Sequence, residues 1–248
     1  MRETPKRSAG LYVGTSGWAY PTWKPDFYPA DVKQKDFLRY YATQLNATEV
    51  NYTFRHIVSE KALTQWIADT PADFRFVLKA HNAITHIRRL KNAEGIVERF
   101  CTSLQSLSES GRMGPVFFQL PPNFKADFEC FRDFLALLPP GLKHAWEFRH
   151  ASWFADETYK LLQSHNGSLC IAESEKLETP EQLIGDFVCY RFRKPEYNNE
   201  QINKIGDQLG KAAQAREVYA FFKHEENPQG AVWAKTALDV GRKSSNNE

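Results

Sequence analysis

The chain has 248 residues, 42% of them hydrophobic, and its 32 Lys and Arg against 30 Asp and Glu leave a formal net charge of +2. That balance excludes a global field drawing the protein onto nucleic acid or a membrane, so any basic footprint has to be local. The length matches the roughly 250 residues of one eight-stranded α/β barrel, and no apolar run approaches the ~18 residues of a membrane span.

The first strand is expected at Leu11 to Thr15, followed by a loop rich in Gly, Pro and Trp from Ser16 to Asp31. A helix follows near Lys33 to Leu45, with Phe37, Leu38, Tyr41 and Leu45 at helical spacing. The second strand, Thr48 to Phe54, sets Glu49, Asn51 and Thr53 on one face and Val50, Tyr52 and Phe54 on the other. A helix over Glu60 to Asp69 has Ser59 as its N-cap and Pro71 beyond its end. The third strand, Phe74 to Lys79, leads into a loop with His81, His86, Arg88 and Arg89.

Next come a helix over Ala93 to Glu109, a strand at Val116 to Leu120 and a helix over Ala126 to Leu138. The fifth strand is His144 to Arg149, its helix Trp153 to Gln163, and the sixth strand Ser168 to Glu173. A short helix at Pro180 to Ile184 precedes the seventh strand, Phe187 to Arg193, and a helix over Glu200 to Gln214 follows it. The eighth strand is Val218 to Lys223 and the last helix Gly230 to Val240.

This alternation predicts parallel strands joined by right-handed crossovers in a single (β/α)8 barrel domain spanning 1–248. Its core is expected over 11–240, with 1–10 and 241–248 as flexible tails. An open doubly wound sheet is the competing fold, but Gly14-Thr15-Ser16-Gly17 is not its Gly-rich phosphate turn. The polar first ten residues contain no apolar signal segment. Cys101, Cys130, Cys170 and Cys189 form no Cys-x-x-Cys pair and read as buried small hydrophobes, which points to the cytoplasm.

No P-loop and no His-Glu-x-x-His is present, and Trp18 spoils a Gly-x-Ser-x-Gly around Ser16. What remains is chemistry at strand ends, where barrels build their active sites. Glu49 and Asn51 face inward, with Lys79 and Arg149 as candidate partners of the carboxylate. The alternative is a salt-bridge layer fixing barrel register. Glu147 and Arg149 alternate inward, either as an ion pair or with Glu147 joining Glu49 in a carboxylate pair for acid/base work. Gln119 ends the fourth strand. Arg191, Arg193 and Lys194 end the seventh and Lys223 the eighth, where barrels often hold phosphate. Trp18, Tyr20 and Trp23 either wall a ring-binding site or plug the barrel end. His81, His86, His150, His224, Glu173 and Glu225 supply metal-ligand types without a metal-site spacing, so no metal and no cofactor is assigned.

The strings GTSGWAYPTW, FYP, TEVNYTF, LKAHNAITHIRRL, GPVFFQLPPNF, AWEFRHASW and YAFFKHEENPQGAVWA resemble the YecE-like family, a domain of unknown function, over about Leu11 to Val240. The resemblance implies a TIM barrel remotely similar to endonuclease IV and xylose-isomerase-like barrels. It carries family motif positions onto Ser16, Trp18, Tyr20, Trp23, Glu49, Asn51, Lys79, Thr85, His86, Gln119, Pro121, Glu147, Arg149 and Trp153. Members commonly read Arg-x-His-Gly at the end of the seventh strand, where this chain reads Arg191-Phe192-Arg193-Lys194. That departure weighs against a histidine role there and towards an anion. The histidine-rich zinc set of endonuclease IV is not matched.

The sequence therefore predicts an enzyme, of hydrolase or isomerase type, acting on a phosphorylated or sugar-containing small molecule. Glu49, Lys79, Glu147 and Arg149 are the catalytic candidates. Ser16, Trp18, Tyr20, Trp23, Asn51, His86, Gln119, Arg191, Arg193 and Lys223 are the binding candidates. The alternative is a non-catalytic module binding nucleic acid at the same mouth. Oligomeric state is left unassigned.

Overall fold

The computed structural model describes residues 10–245; the expectations for 1–9 and 246–248 lie outside them. Eight strands run parallel: β1 (Leu11–Ser16), β2 (Ala47–Val50), β3 (Arg75–Leu78), β4 (Val116–Gln119), β5 (His144–Glu147), β6 (Gly167–Ala172), β7 (Phe187–Phe192) and β8 (Glu217–Phe222). They hydrogen-bond in the order β3-β2-β1-β8-β7-β6-β5-β4. β3 and β4 meet through isolated parallel bridges, Phe76 to Met113 and Lys79 to Phe117. The sheet is thus a nearly closed (β/α)8 barrel, not an open doubly wound sheet.

The helices are α1 (Phe37–Gln44), α2 (Glu60–Asp69), α3 (Glu94–Thr102), α4 (Gln105–Glu109), α5 (Phe128–Ala136), α6 (Asp156–Ser164), α7 (Asn199–Ala213) and α8 (Gln229–Ser245). Local chemistry sets their ends. Ser59 Oγ accepts from the Ala62 N–H at the start of α2, and Asp127 Oδ1 accepts from the Cys130 N–H at the start of α5. α7 opens with a full capping box: Asn198 Oδ1 accepts from the Gln201 N–H and Gln201 Oε1 from the Asn198 N–H, each at 2.9 Å. Asn198→Ala is expected to destabilise the protein by about 1 kcal/mol, read from the urea midpoint, because an orphan helix N–H loses its acceptor.

Four expectations need correction. The helix expected over Ala93 to Glu109 is two helices, since Ser103 Oγ donates to the Phe100 carbonyl at 2.7 Å at the break between α3 and α4. No helix forms over Pro180 to Ile184. The Gln182 N–H donates to the Pro180 carbonyl at 2.8 Å, a turn tighter than a helical one, and Gly185 turns the chain at φ +73° against the Gly167 carbonyl. The second strand stops at Val50, and Tyr52–Phe54 coils into a 3₁₀ turn that leaves Tyr52 exposed and swings Phe54 to the barrel mouth. Finally, α8 continues to Ser245, into the stretch expected to fray from Gly241.

Two separate cores follow from strand alternation. Outward residues pack under the helices, as where Trp146 stacks on Phe118 at 4.5 Å and meets Phe131 edge-on at 4.8 Å. Inward residues Ala47, Val77, Phe117, Ala145, Cys170, Phe187, Cys189, Tyr219 and Phe221 fill the barrel. β1 and β2 approach so closely that a Cβ on Gly14 would stand 1.8 Å from the Ala47 carbonyl oxygen. His144, on β5, accepts from Trp146 Nε1 at Nδ1 (2.7 Å), leaving Nε2–H to donate to the His165 carbonyl (2.6 Å). With both nitrogens so committed and the ring buried, it stays neutral, its pKa pushed down to about 4 by burial.

Candidate active site

Above the apolar barrel core lies a layer of inward-pointing polar side chains from the last positions of the strands. Arg191, on β7, is its hub and is 1% exposed. Its guanidinium donates from Nη1 to Glu147 Oε2 at 2.5 Å and from Nη2 to Glu49 Oε1 at 2.7 Å, with Nε 2.7 Å from Glu49 Oε2. Its flat face rests on Phe117 of the layer below, 4.6 Å from the ring centre. Glu49 Oε1 also accepts from Ser16 Oγ at 3.0 Å. Glu147 Oε2 accepts from Arg193 Nη2 at 2.7 Å, and its Oε1 from Gln119 Nε2 at 2.8 Å. Gln119 Oε1 accepts from Lys79 Nζ at 3.0 Å. One hydrogen-bonded chain thus joins Ser16, Glu49, Arg191, Glu147, Arg193, Gln119 and Lys79.

The electrostatics follow from this wiring. Burial alone would raise the Glu147 pKa, but Arg191 and Arg193 outweigh it and pull it down to about 2. Burial would lower the Arg191 pKa, and the two carboxylates instead raise it. Lys79 is different. Burial pushes its ammonium down to about 8, with Arg191 adding repulsion that Glu49 and Glu147 only partly offset. It is half-buried, sits 4.4 Å from the centre of the Phe54 ring, and no carboxylate among the described residues lies within ion-pair distance. Within this network three cations, Lys79, Arg191 and Arg193, therefore face two carboxylates, Glu49 and Glu147, so the network carries one excess positive charge when Lys79 is protonated.

The ion pairs differ from those expected. Lys79 and Arg149 were the candidate partners of Glu49, and Arg149 also of Glu147; among the described residues neither cation pairs with a carboxylate. β5 ends at Glu147, so the strand pleat no longer aims Arg149 inward, and its side chain is exposed. Arg191, expected to bind an anion, takes that place with both carboxylates. Arg193 is half-buried beside it, with its backbone N–H held by Glu173 Oε2 at 2.7 Å. Tyr197, which no sequence motif marked, donates to the same Glu173 oxygen. Lys223 lies exposed one residue past β8, 4.0 Å from Glu225.

The aromatic loop divides. Trp23 is fully buried, meets Phe27 edge-on and donates Nε1–H to the Glu225 carbonyl at 3.1 Å. Its burial matches the plug alternative and leaves it no free face to stack on a ring. Trp18 and Tyr20 remain half-buried and line a cavity of about 350 Å³ with Asn51, Tyr52 and Trp66. The Asn51 side chain makes no hydrogen bond among the described residues, and its buried Nδ2 is an unused donor. His86 sits on a π-turn over Ala83–Ile87, against the edge of Phe54 at 5.0 Å; burial, then Lys79 and Arg149, lower its pKa. Just beyond, Arg89, Leu90 and Asn92 hold φ of +49°, +69° and +49°. Left-handed backbone at non-glycine residues stores strain of the kind that gathers at working sites.

Among the described residues no three His, Cys, Asp or Glu side chains gather into a group able to hold a metal ion, and no helix is long and apolar enough to cross a membrane. A DUF72 family protein of Thermotoga maritima is similar in structure, at 25% identity and a TM-score of 0.80, over 94% of this chain and 98% of that one. A DUF72 family protein of Enterococcus faecalis, 18% identical, covers 95% and 97% at a TM-score of 0.73. The UPF0759 protein YunF of Bacillus subtilis is 27% identical over 161 residues, 60% of this chain. That match takes in 54%, about half, of YunF's own length. The model for the family "Protein of unknown function DUF72" matches residues 12–246, and the YecE-like resemblance of the motifs fits it. Spanned by that model from its first strand to its last helix, the chain belongs to the DUF72 family.

Proposed function

We propose that this barrel is an enzyme that binds a small phosphorylated or sugar-type anion at the C-terminal mouth and acts on it there. The observation that carries the reading is the excess positive charge of the Lys79–Gln119–Glu147–Arg191–Arg193–Glu49 network. An anionic group beside Lys79 and Arg193 completes its charge balance. Lys223 and Arg149 extend this cationic wall at the rim. Asn51 and His86 offer polar contacts to hydroxyls, Ser16 contributes through its hydrogen bond to Glu49, and Trp18 and Tyr20 offer faces for a ring. Glu49 and Glu147 both hold Arg191 in place through their ion pairs, and Glu147, held near a pKa of 2, is too weak a base for proton abstraction. We place the protein in the cytoplasm, in keeping with four cysteines that stay free thiols. The expected remote kinship with endonuclease IV enters this proposal as shared barrel architecture only.

The test is thermal unfolding with inorganic phosphate against chloride at matched ionic strength. Phosphate at a hundred times its Kd should add about 2.7 kcal/mol. Arg193→Ala should weaken that binding about tenfold, or about 1.4 kcal/mol. A wild-type protein indifferent to phosphate and to sugar phosphates would sink the reading. One observation favours the nucleic-acid alternative: the stretch 79–93 holds Lys79, Arg88, Arg89 and Lys91 and no acidic residue. Tight oligonucleotide binding that falls steeply with salt, with no small-anion effect, would favour it instead.

A further inference from the structure

We propose that the Lys79 side-chain amine is a nucleophile that forms an imine with the carbonyl carbon of an anionic aldehyde or ketone. The inference rests on the anion reading of the mouth and narrows its substrate class to carbonyl compounds carrying a phosphate or carboxylate.

Position comes first. Lys79 lies one residue past β3, with its backbone anchored at the mouth: its N–H donates to the Val50 carbonyl at 3.1 Å and its carbonyl accepts from Thr53 Oγ1 at 2.7 Å. Its Nζ is bracketed by two rings, 4.4 Å from Phe54 and 6.0 Å from Phe117. Apolar walls of this kind desolvate an ammonium and favour the free amine. Its one side-chain acceptor among the described residues is the neutral Gln119 amide. Every other charged member of the network is tied in an ion pair at 2.5 to 2.7 Å. The groups facing Lys79 are Arg191, Lys223, Glu49 and Glu147, with His86 beside the shared Phe54 ring. Their sum with burial lowers its pKa from 10.5 to about 8. At pH 7.5 that shift gives about two hundred times more free amine than an ordinary lysine has.

The step balances without a further reactant. The Nζ lone pair attacks the carbonyl carbon, a C–N bond forms and the C=O π bond breaks. The oxygen takes up a proton, and the carbinolamine then expels water to leave the iminium. Hydrolysis runs the same steps backwards. Water takes the proton that the amine sheds and returns one to the departing hydroxyl. Arg193 stands where the substrate's anionic group binds.

The experiment treats the full-length protein with glyceraldehyde 3-phosphate and sodium borohydride, then maps the reduced adducts by peptide mass spectrometry. Glyceraldehyde is the uncharged control. The peptide carrying Lys79 should be labelled at least tenfold faster than those of the exposed Lys33, Lys35 and Lys61, with a rate rising through pH 8. Lys79→Arg should lose the fast adduct, while stabilisation by inorganic phosphate is read separately on the wild-type protein. Labelling of Lys79 no faster than of the exposed lysines overturns the proposal, and phosphate stabilisation alongside that result leaves the anion reading standing. Fast labelling by both aldehydes, with no phosphate effect, supports the imine and removes the anion reading instead.

Discussion

Arg191→Met is expected to destabilise the barrel by about 3–5 kcal/mol at pH 7, read from urea unfolding, because it strands two buried carboxylates. Glu49 and Glu147 are 1% and 2% exposed, and each gives at least one oxygen to that guanidinium. Glu147 keeps Arg193, but Glu49 keeps only the Ser16 hydroxyl. For a chain of this length the loss corresponds to a melting temperature lower by on the order of 10 °C. Two further measurements separate this cause from simple loss of volume. Lowering the pH towards 5 should recover part of the loss, since an unpaired buried carboxylate has a raised pKa and folds better protonated. The triple change Glu49→Gln, Glu147→Gln, Arg191→Met should be less damaging than Arg191→Met alone, because no buried charge is left without a partner. A single variant as stable as the parent would mean that the carboxylates are satisfied in some other way.

The same cluster marks the limit of what sequence could say. The barrel was legible because apolar strands alternate with helical spacing for the whole length of the chain; the strand cores differ from expectation by a residue or two at their ends, except β2, which stops four residues early at Val50. The inward face was legible as well: Glu49, Lys79, Gln119, Glu147 and Arg191 all converge, as strand-end residues of a barrel should. Pairing was not legible. Arg149 is two residues from Glu147, so in an extended strand it shares its face. Only the end of β5 at Glu147 turns it away. Arg191 lies 142 residues from Glu49, and strand order alone does not set which guanidinium reaches which carboxylate. The fate of the tryptophans had the same cause. Trp18 and Trp23 are chemically alike and five residues apart, yet one lines a cavity and the other is sealed by Tyr28, Phe27 and the Glu225 carbonyl. Contacts made across the barrel decide both cases, and periodicity carries no information about them.

Glu147→Gln should flatten the acid limb of the stability profile. In the parent protein the folded-state pKa of Glu147 lies near 2, below the usual 4.5. Between those values the unfolded chain binds a proton that the folded one refuses, so stability falls as pH falls. The contribution is fully present above pH 4.5 and lost as the pH drops through 2. Its size is about 3 kcal/mol, from roughly 2.5 pH units at 1.36 kcal/mol each. The variant should therefore be about 3 kcal/mol less stable than the parent at pH 7, with the difference closing between pH 4.5 and 2. His144 titrates in a neighbouring window. Its folded pKa of about 4 lies below the ordinary 6.5, so it too weakens the fold on acidification, but between pH 6.5 and 4. That upper limb should be the same in both proteins, which makes it an internal control. A difference between parent and variant that stays constant down to pH 2 would show that Glu147 contributes through packing or its Gln119 contact, and not through its charge.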